Sequence, residues 1–205
     1  MRVKIAHLAD IHVRGLSRHD EIRTVIQAFC DDCRQREINH IVIAGDVWHT
    51  KTLGITAEYI DLMSWMLRSM ADVCQQVHVT LGNHDGALTN LSRQDAVSPI
   101  VKALNHSQIT VYKDSGVYRA NDGSFNLCVY SVFDPEKWDS VKPIPDEYNI
   151  AVFHGSVAGA ESETGWALEA DISVKYFDDL GYDLVLLGDI HKRQFLGYRE
   201  LADVD

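Results

Sequence analysis

The chain has 205 residues, 46% of them hydrophobic and 24% charged, enough for one domain with a sizeable core and ordinary for a soluble globular protein. It has no apolar run long enough to cross a membrane, and Met1-Arg2-Val3-Lys4-Ile5 enters a strand without a signal-peptide pattern, so the expected compartment is the cytoplasm. The net charge of -11 argues against a self-sufficient nucleic-acid binder; two divalent cations would still leave the chain acidic, so a nucleic-acid substrate would require a local basic patch or a partner.

Strand and helix patterns alternate along the chain. Val3 to Ala9 reads as a buried strand, and Ser17 with Asp20 has the spacing of a capping box ahead of a helix holding Ile22 to Cys33. Ile41 to Ala44 is the second strand. A helix from about Thr56 to Val73 follows, with Tyr59, Met63, Met66, Leu67 and Met70 on a face that reads as core. Val77 to Leu81 is the third strand, and Pro99 to Leu104 lies in a short helix. From Ile109 to Tyr130 short strands alternate with turns, including Asn121-Asp122-Gly123 as a hairpin turn. Asp134 to Asp146 reads as a surface loop, and Ile150 to Phe153 and Leu184 to Leu187 are two further buried strands. This order implies a largely parallel α/β sheet, with the central hairpins adding a second, mixed one.

Cys30 and Cys33 form a C-x-x-C, but they continue the apolar stripe of Ile22, Val25, Ile26 and Phe29, and no second cysteine pair completes a zinc site. They read as core packing. His7, His19, His40, His78 and His106 read as surface or satisfied core residues.

Each of the five apolar strands runs into a polar cluster. These are Asp10-Ile11-His12, Gly45-Asp46, Gly82-Asn83-His84-Asp85, His154-Gly155 and Gly188-Asp189-Ile190-His191. Ligands bind at the carboxyl ends of strands in open α/β sheets, so the clusters should converge on one rim. Asp10, Asp46 and Asn83 are 36 and 37 residues apart, about one strand-helix-strand unit each. Carboxylate, imidazole and amide oxygen without thiolate suit Mn²⁺, Fe²⁺ or Zn²⁺ at a hydrolytic centre. A carboxylate such as Asp46 can bridge two ions, and pairs about 3.5–4 Å apart clamp the attacking and leaving oxygens of phosphoryl transfer.

Over nearly the whole chain these motifs resemble the calcineurin-like metallophosphoesterase superfamily. D-I-H, G-D-V-W-H, G-N-H-D, H-G and G-D-I-H-K-R-Q look most like its SbcD-type branch, the nuclease subunits of bacterial and phage double-strand-break-repair complexes. The resemblance implies an α/β fold, a four-layer α-β-β-α sandwich with two mixed sheets. It also implies that Asp10, His12, Asp46 and His191 hold a first ion and Asp46, Asn83, His154 and Asp189 a second. His84, beside Asp85, matches a histidine that stabilises the transition state and protonates the leaving oxygen, and His49 one near the substrate phosphate. The implied cofactors are two divalent cations, Mn²⁺ first, with Fe²⁺, Zn²⁺ and Mg²⁺ open. The implied reaction is in-line attack on phosphorus by a metal-activated water. The implied activities are 3′ to 5′ exonuclease action on duplex ends and endonuclease action on single strands, in recombination and break repair. DNA and an SbcC-type ATPase are the implied partners, no membrane is involved, and a homodimer is a compatible assembly.

Two departures from the pattern stand out. Asp189 replaces the first histidine of the usual G-H-x-H; a carboxylate can still coordinate and is harder, and the alternative is a weakened second site. Only 14 residues follow His191, so the expectation is a single metallophosphoesterase domain over 1–205, truncated at its C-terminus, without capping or ATPase-docking regions. Ser156 to Asp171 should lie near the rim, either shaping access or simply connecting. Lys192 and Arg193 are candidate phosphate contacts or a generic charged loop. Two other functions stay open: a phosphodiesterase or phosphatase for a non-DNA substrate, and a scaffold of the same fold with weakened hydrolysis.

Overall fold

In the computed structural model, which describes residues 3–49, 54–90 and 93–197, the alternating pattern builds two four-stranded sheets. The first contains β1 (Ile5–Leu8), β2 (His40–Ala44), β3 (Gln76–Thr80) and β4 (Ile109–Tyr112) in that order, all parallel. The second contains β5 (Gly116–Arg119), β6 (Asn126–Tyr130), β7 (Asn149–His154) and β8 (Leu184–Gly188), with β5 and β6 antiparallel and the other pairs parallel. Of the two mixed sheets expected, then, only the second is mixed among the described residues. The reason is connectivity: α1 (His19–Arg36), α2 (Ala57–Ala71) and α3 (Ser98–Leu104) each carry the chain back between strands of the first sheet, and such crossovers make parallel pairs.

Two-residue periodicity assigns each strand residue to a layer. On β2, Ile41 and Ile43 join the core under α1, α2 and α3, while Val42 and Ala44 face the other sheet. Opposite them, Leu127 and Val129 of β6 and Ile150 and Val152 of β7 close the inter-sheet core. The alternate residues Cys128, Tyr130, Ala151 and Phe153 pack outward against Phe177 of α4 (Val174–Leu180) and Tyr182. The result is a four-layer sandwich. Strand β2 is buried on both faces, and each such aliphatic side chain contributes about 1.5–3 kcal/mol, so the strand that ends in Asp46 is firmly anchored.

Several local expectations change. The capping box does not form: α1 starts at His19 behind Arg18, which is left-handed (φ 63) with no side-chain cap. Arg18 instead pairs with Glu21 at 2.7 Å. Val25, counted in the apolar stripe, is 65% exposed, whereas Cys30 and Cys33 are free, buried and part of the core. Thr56 caps α2, its hydroxyl accepting from the Tyr59 backbone N–H at 3.2 Å. The Met-rich face of α2 is fully buried. The 134–146 loop contains a 3-10 turn, Pro135–Ser140. His40 and His78 are buried and bonded to each other at 3.2 Å. No helix among the described residues is long and apolar enough to cross a membrane.

Candidate metal centre

The periodicity that fills the inter-sheet core also aims the first candidate ligand. Ile150 and Val152 of β7 point inward, and the next residue in that register is His154. Its imidazole is buried, and Nδ1 donates to the Ala44 carbonyl at 2.7 Å. Nε2 lies 3.3 Å from Asp46 Oδ2 and 4.0 Å from Asp189 Oδ1, yet has no hydrogen-bond partner among the described residues. This approach of strands needs glycine. A Cβ on Gly188 would sit 2.0 Å from the Ala44 carbonyl oxygen, and one on Gly82 would sit 2.2 Å from Asp46 Oδ1.

The loops leaving the strands are strained where the ligands stand. Asp10, His12, Asp46 and Asp189 all have left-handed φ, at 55, 50, 53 and 74°. Each costs about 1–3 kcal/mol unless the surroundings enforce it. Here they do. Asp10 N–H donates to the Gly45 carbonyl at 3.1 Å and His12 N–H to the Asp46 carbonyl at 3.0 Å. His84 N–H donates to Asp46 Oδ1 at 2.8 Å. The Asp189 N–H reaches across the sheets to the Asp10 carboxylate at 3.0–3.1 Å.

Three sets of donor atoms therefore lie within 4.8 Å of one another: Asp10, His12 and His191; His12, Asp46 and His84; and Asp10, Asp46 and His154. Asn83 joins at one edge, its Nδ2 donating to Asp189 Oδ1 at 3.2 Å. Thus the structure brings together all seven residues singled out as ligands. His84 is beside them, its ring 5.0 Å from that of His12, with Nδ1 donating to the His49 carbonyl at 2.8 Å. The His49 ring stacks 6.5 Å from that of His84.

Asp85 is the exception. It is buried below the rim, and its carboxylate accepts the backbone N–H groups of Trp48 (2.7 Å) and Gly82 (2.8 Å). Burial pushes its pKa up to about 7 despite these bonds. Expected beside the chemistry, it instead ties two ligand-bearing loops together. Lys192 is engaged with Glu161, and the Arg193 guanidinium lies 5.4 Å over the Phe195 ring.

Electrostatics at the rim is set by Asp46. Burial would raise its carboxyl, but His154 and the His84 N–H outweigh that and hold it below the ordinary range. For His154, burial opposes charge, but Asp46, the Ala44 carbonyl and Asp10 overcome it and lift the imidazole to about 9. Burial lowers His12 against the pull of Asp46 and raises Asp10 against the pull of His154.

Sequence reasoning gave two residues here no individual role. Ser156 Oγ donates to Asp189 Oδ2 at 3.1 Å, which its place just after His154 hinted at. The Arg14 charge helps to lower His49, behind burial, an influence from a loop that no local pattern marks. Ser156, Ser162, Glu163, Leu168, Asp189 and His191 line a cleft of about 340 Å³ beside the ligands, so the 156–171 segment does lie at the rim.

The residues fit divalent cations. Five buried side-chain atoms among the described residues have no hydrogen-bond partner, and three of them, His12 Nδ1, Asn83 Oδ1 and His154 Nε2, belong to the candidate ligands. Such atoms are costly unless something binds them, and two of them belong to a mixed carboxylate and imidazole set suited to hydrolytic metals.

The chain belongs to the calcineurin-like phosphoesterase family, whose profile matches residues 3–193, a family that works with divalent metals. Uncharacterized protein R555 of Acanthamoeba polyphaga mimivirus is 32% identical over 206 residues, covering 94% of this chain and 15% of that protein. DNA double-strand break repair protein Mre11 of Methanopyrus kandleri is 24% identical over 211 residues, covering 92% of this chain and 44% of that one. The chain thus spans less than half the length of either. The crystal structure of Pseudomonas putida nuclease MPE superposes with a TM-score of 0.42 at 14% identity, covering 80% of this chain and 66% of that one.

Two outcomes follow. Gly82→Ala puts a methyl group 2.2 Å from Asp46 Oδ1 and 2.5 Å from the Asp46 backbone nitrogen, so divalent-ion affinity by calorimetry should fall about 10–100-fold and the thermal melting midpoint should fall with it. A proton and a cation compete for His154, which is protonated below about 9, and imidazole binds metal only when neutral. Affinity should therefore rise with pH up to about 9, with proton release on binding, and level off above it; calorimetry in buffers of different ionisation enthalpy reads both.

Proposed function

We propose that the chain is a nuclease of the SbcD type, hydrolysing DNA phosphodiesters at a pair of divalent cations, Mn²⁺ in the first instance, in recombination and double-strand-break repair. The observation that carries this is that Asp46 belongs to two of the three donor groups, one with His12 and His84 and one with Asp10 and His154. Asp10, His12, Asp46 and His191 would hold one ion and Asp46, Asn83, His154 and Asp189 the other. When bound, such ions neutralise charge on the phosphoryl oxygens and make water nucleophilic near neutral pH.

The remaining steps belong to side chains. His84, with Nδ1 fixed on the His49 carbonyl, has Nε2 as its exchangeable position and serves as the acid for the leaving oxygen. Burial, Arg14 and His84 keep His49 below the ordinary imidazole range, so it offers the phosphate a neutral hydrogen bond. Arg14 supplies local positive charge in a chain of net charge -11. Phosphate contacts position a nucleic acid without reading its sequence, in keeping with a nuclease that acts on ends. The similarity to Mre11 of Methanopyrus kandleri supports DNA as the substrate class. Because that relative is more than twice as long, docking to an SbcC-type ATPase, and pairing as a homodimer, are proposed only for the wider assembly.

The test sets manganese-dependent degradation of end-labelled duplex and single-stranded DNA beside turnover of nucleotide phosphodiesters. DNA should be degraded. His84→Ala should keep its ions and lose about 10²–10⁴-fold in rate, the usual contribution of positioned proton transfer. Brisk turnover of nucleotide phosphodiesters with DNA left intact would point instead to a small-molecule phosphodiesterase.

A further inference from the structure

The two ligand sets proposed above differ in chemistry. Asp10, Asp46, His12 and His191 offer two carboxylates and two imidazoles. Asp46, Asn83, Asp189 and His154 offer oxygen from three residues and nitrogen from one. Asp189 makes the difference, and its surroundings fix how it presents its oxygens. Its N–H is tied to the Asp10 carboxylate at 3.0–3.1 Å. Its Oδ2 accepts from Ser156 at 3.1 Å, while Oδ1 faces Asn83 Nδ2 at 3.2 Å and His154 Nε2 at 4.0 Å. Asn83 Oδ1 is buried with no hydrogen-bond partner among the described residues, and with its Nδ2 committed to Asp189 this oxygen is the amide's free donor.

We infer that Asp189, oriented by Ser156, makes the second ion position oxygen-dominated and selective for hard cations, Mn²⁺ or Mg²⁺, while the first position remains the more accepting of Zn²⁺. This rests on the two-ion reading proposed above. Carboxylate and amide oxygens suit magnesium and manganese, and imidazole suits zinc. Ser156 holds Oδ2, so Oδ1, which accepts from Asn83 Nδ2 and lies on the His154 side, is the oxygen an ion would recruit. Orientation of this kind tunes metal affinity about 10–100-fold.

The test is competition without catalysis. The chain is loaded with Mn²⁺ and titrated with Zn²⁺, following bound metal by elemental analysis and manganese by electron paramagnetic resonance. The parent should bind two ions and surrender one Mn²⁺ much earlier than the other. Asp189→His is the informative variant, because histidine also tolerates a left-handed backbone and φ is 74° there. It should shift the zinc-to-manganese preference of the late-exchanging position about 10–100-fold toward zinc. Ser156→Ala, which removes one hydroxyl, should weaken Mn²⁺ at that position and leave the other unchanged, and it keeps the test decisive if the histidine variant melts early. Two bound ions with an unchanged preference in Asp189→His, or an unchanged affinity in Ser156→Ala, would overturn the inference alone. Fewer than two ions in the parent would overturn the two-ion reading itself.

Discussion

Asp46 is only 1% exposed at the seam between the two sheets, and a carboxylate taken that far out of water must be met by compensating charge. Within the protein, His154 and the His84 N–H meet it. Divalent cations would meet it more fully, since Asp46 belongs to two of the three donor groups. Much of the fold serves this placement: β2 is anchored on both faces, and β7 delivers His154 from the opposing sheet. A site made by two sheets can hold a buried charge that neither could hold alone.

Its cost is backbone strain. Four candidate ligand residues carry left-handed φ, and each is held by hydrogen bonds within the rim or across the seam. The Asp189 N–H on Asp10 is the clearest, because it joins the ends of β8 and β1. Strain at functional positions is a usual consequence of pre-arranging charged groups. Close strand approach at Gly82 and Gly188 serves the same end, because a methyl group at either position would fill the space used by Asp46 or His154.

Much of this was legible in the sequence, for physical reasons. Apolar strands that break into Asp, Asn or His are visible as strings, and the rule that ligands gather at strand carboxyl ends converts the strings into one rim. The inward aim of His154 follows from the same alternation that buries Ile150 and Val152. What was hidden depends on contacts distant in sequence or on local backbone geometry. Ser156 reaches Asp189 across 33 residues, and Arg14 acts on His49 from another loop. Asp85 follows His84 directly but turns beneath the rim to bind two backbone N–H groups. Arg18 takes a left-handed turn that displaces the expected cap. Short α4 buries only Phe177, too little periodicity to read in advance.

The central claim is a pair of cations sharing one buried carboxylate, and anomalous diffraction from manganese-loaded crystals addresses it most directly. Two peaks about 3.5–4 Å apart, both in contact with Asp46, are the predicted result. A single peak, or two ions that do not share Asp46, would contradict the account.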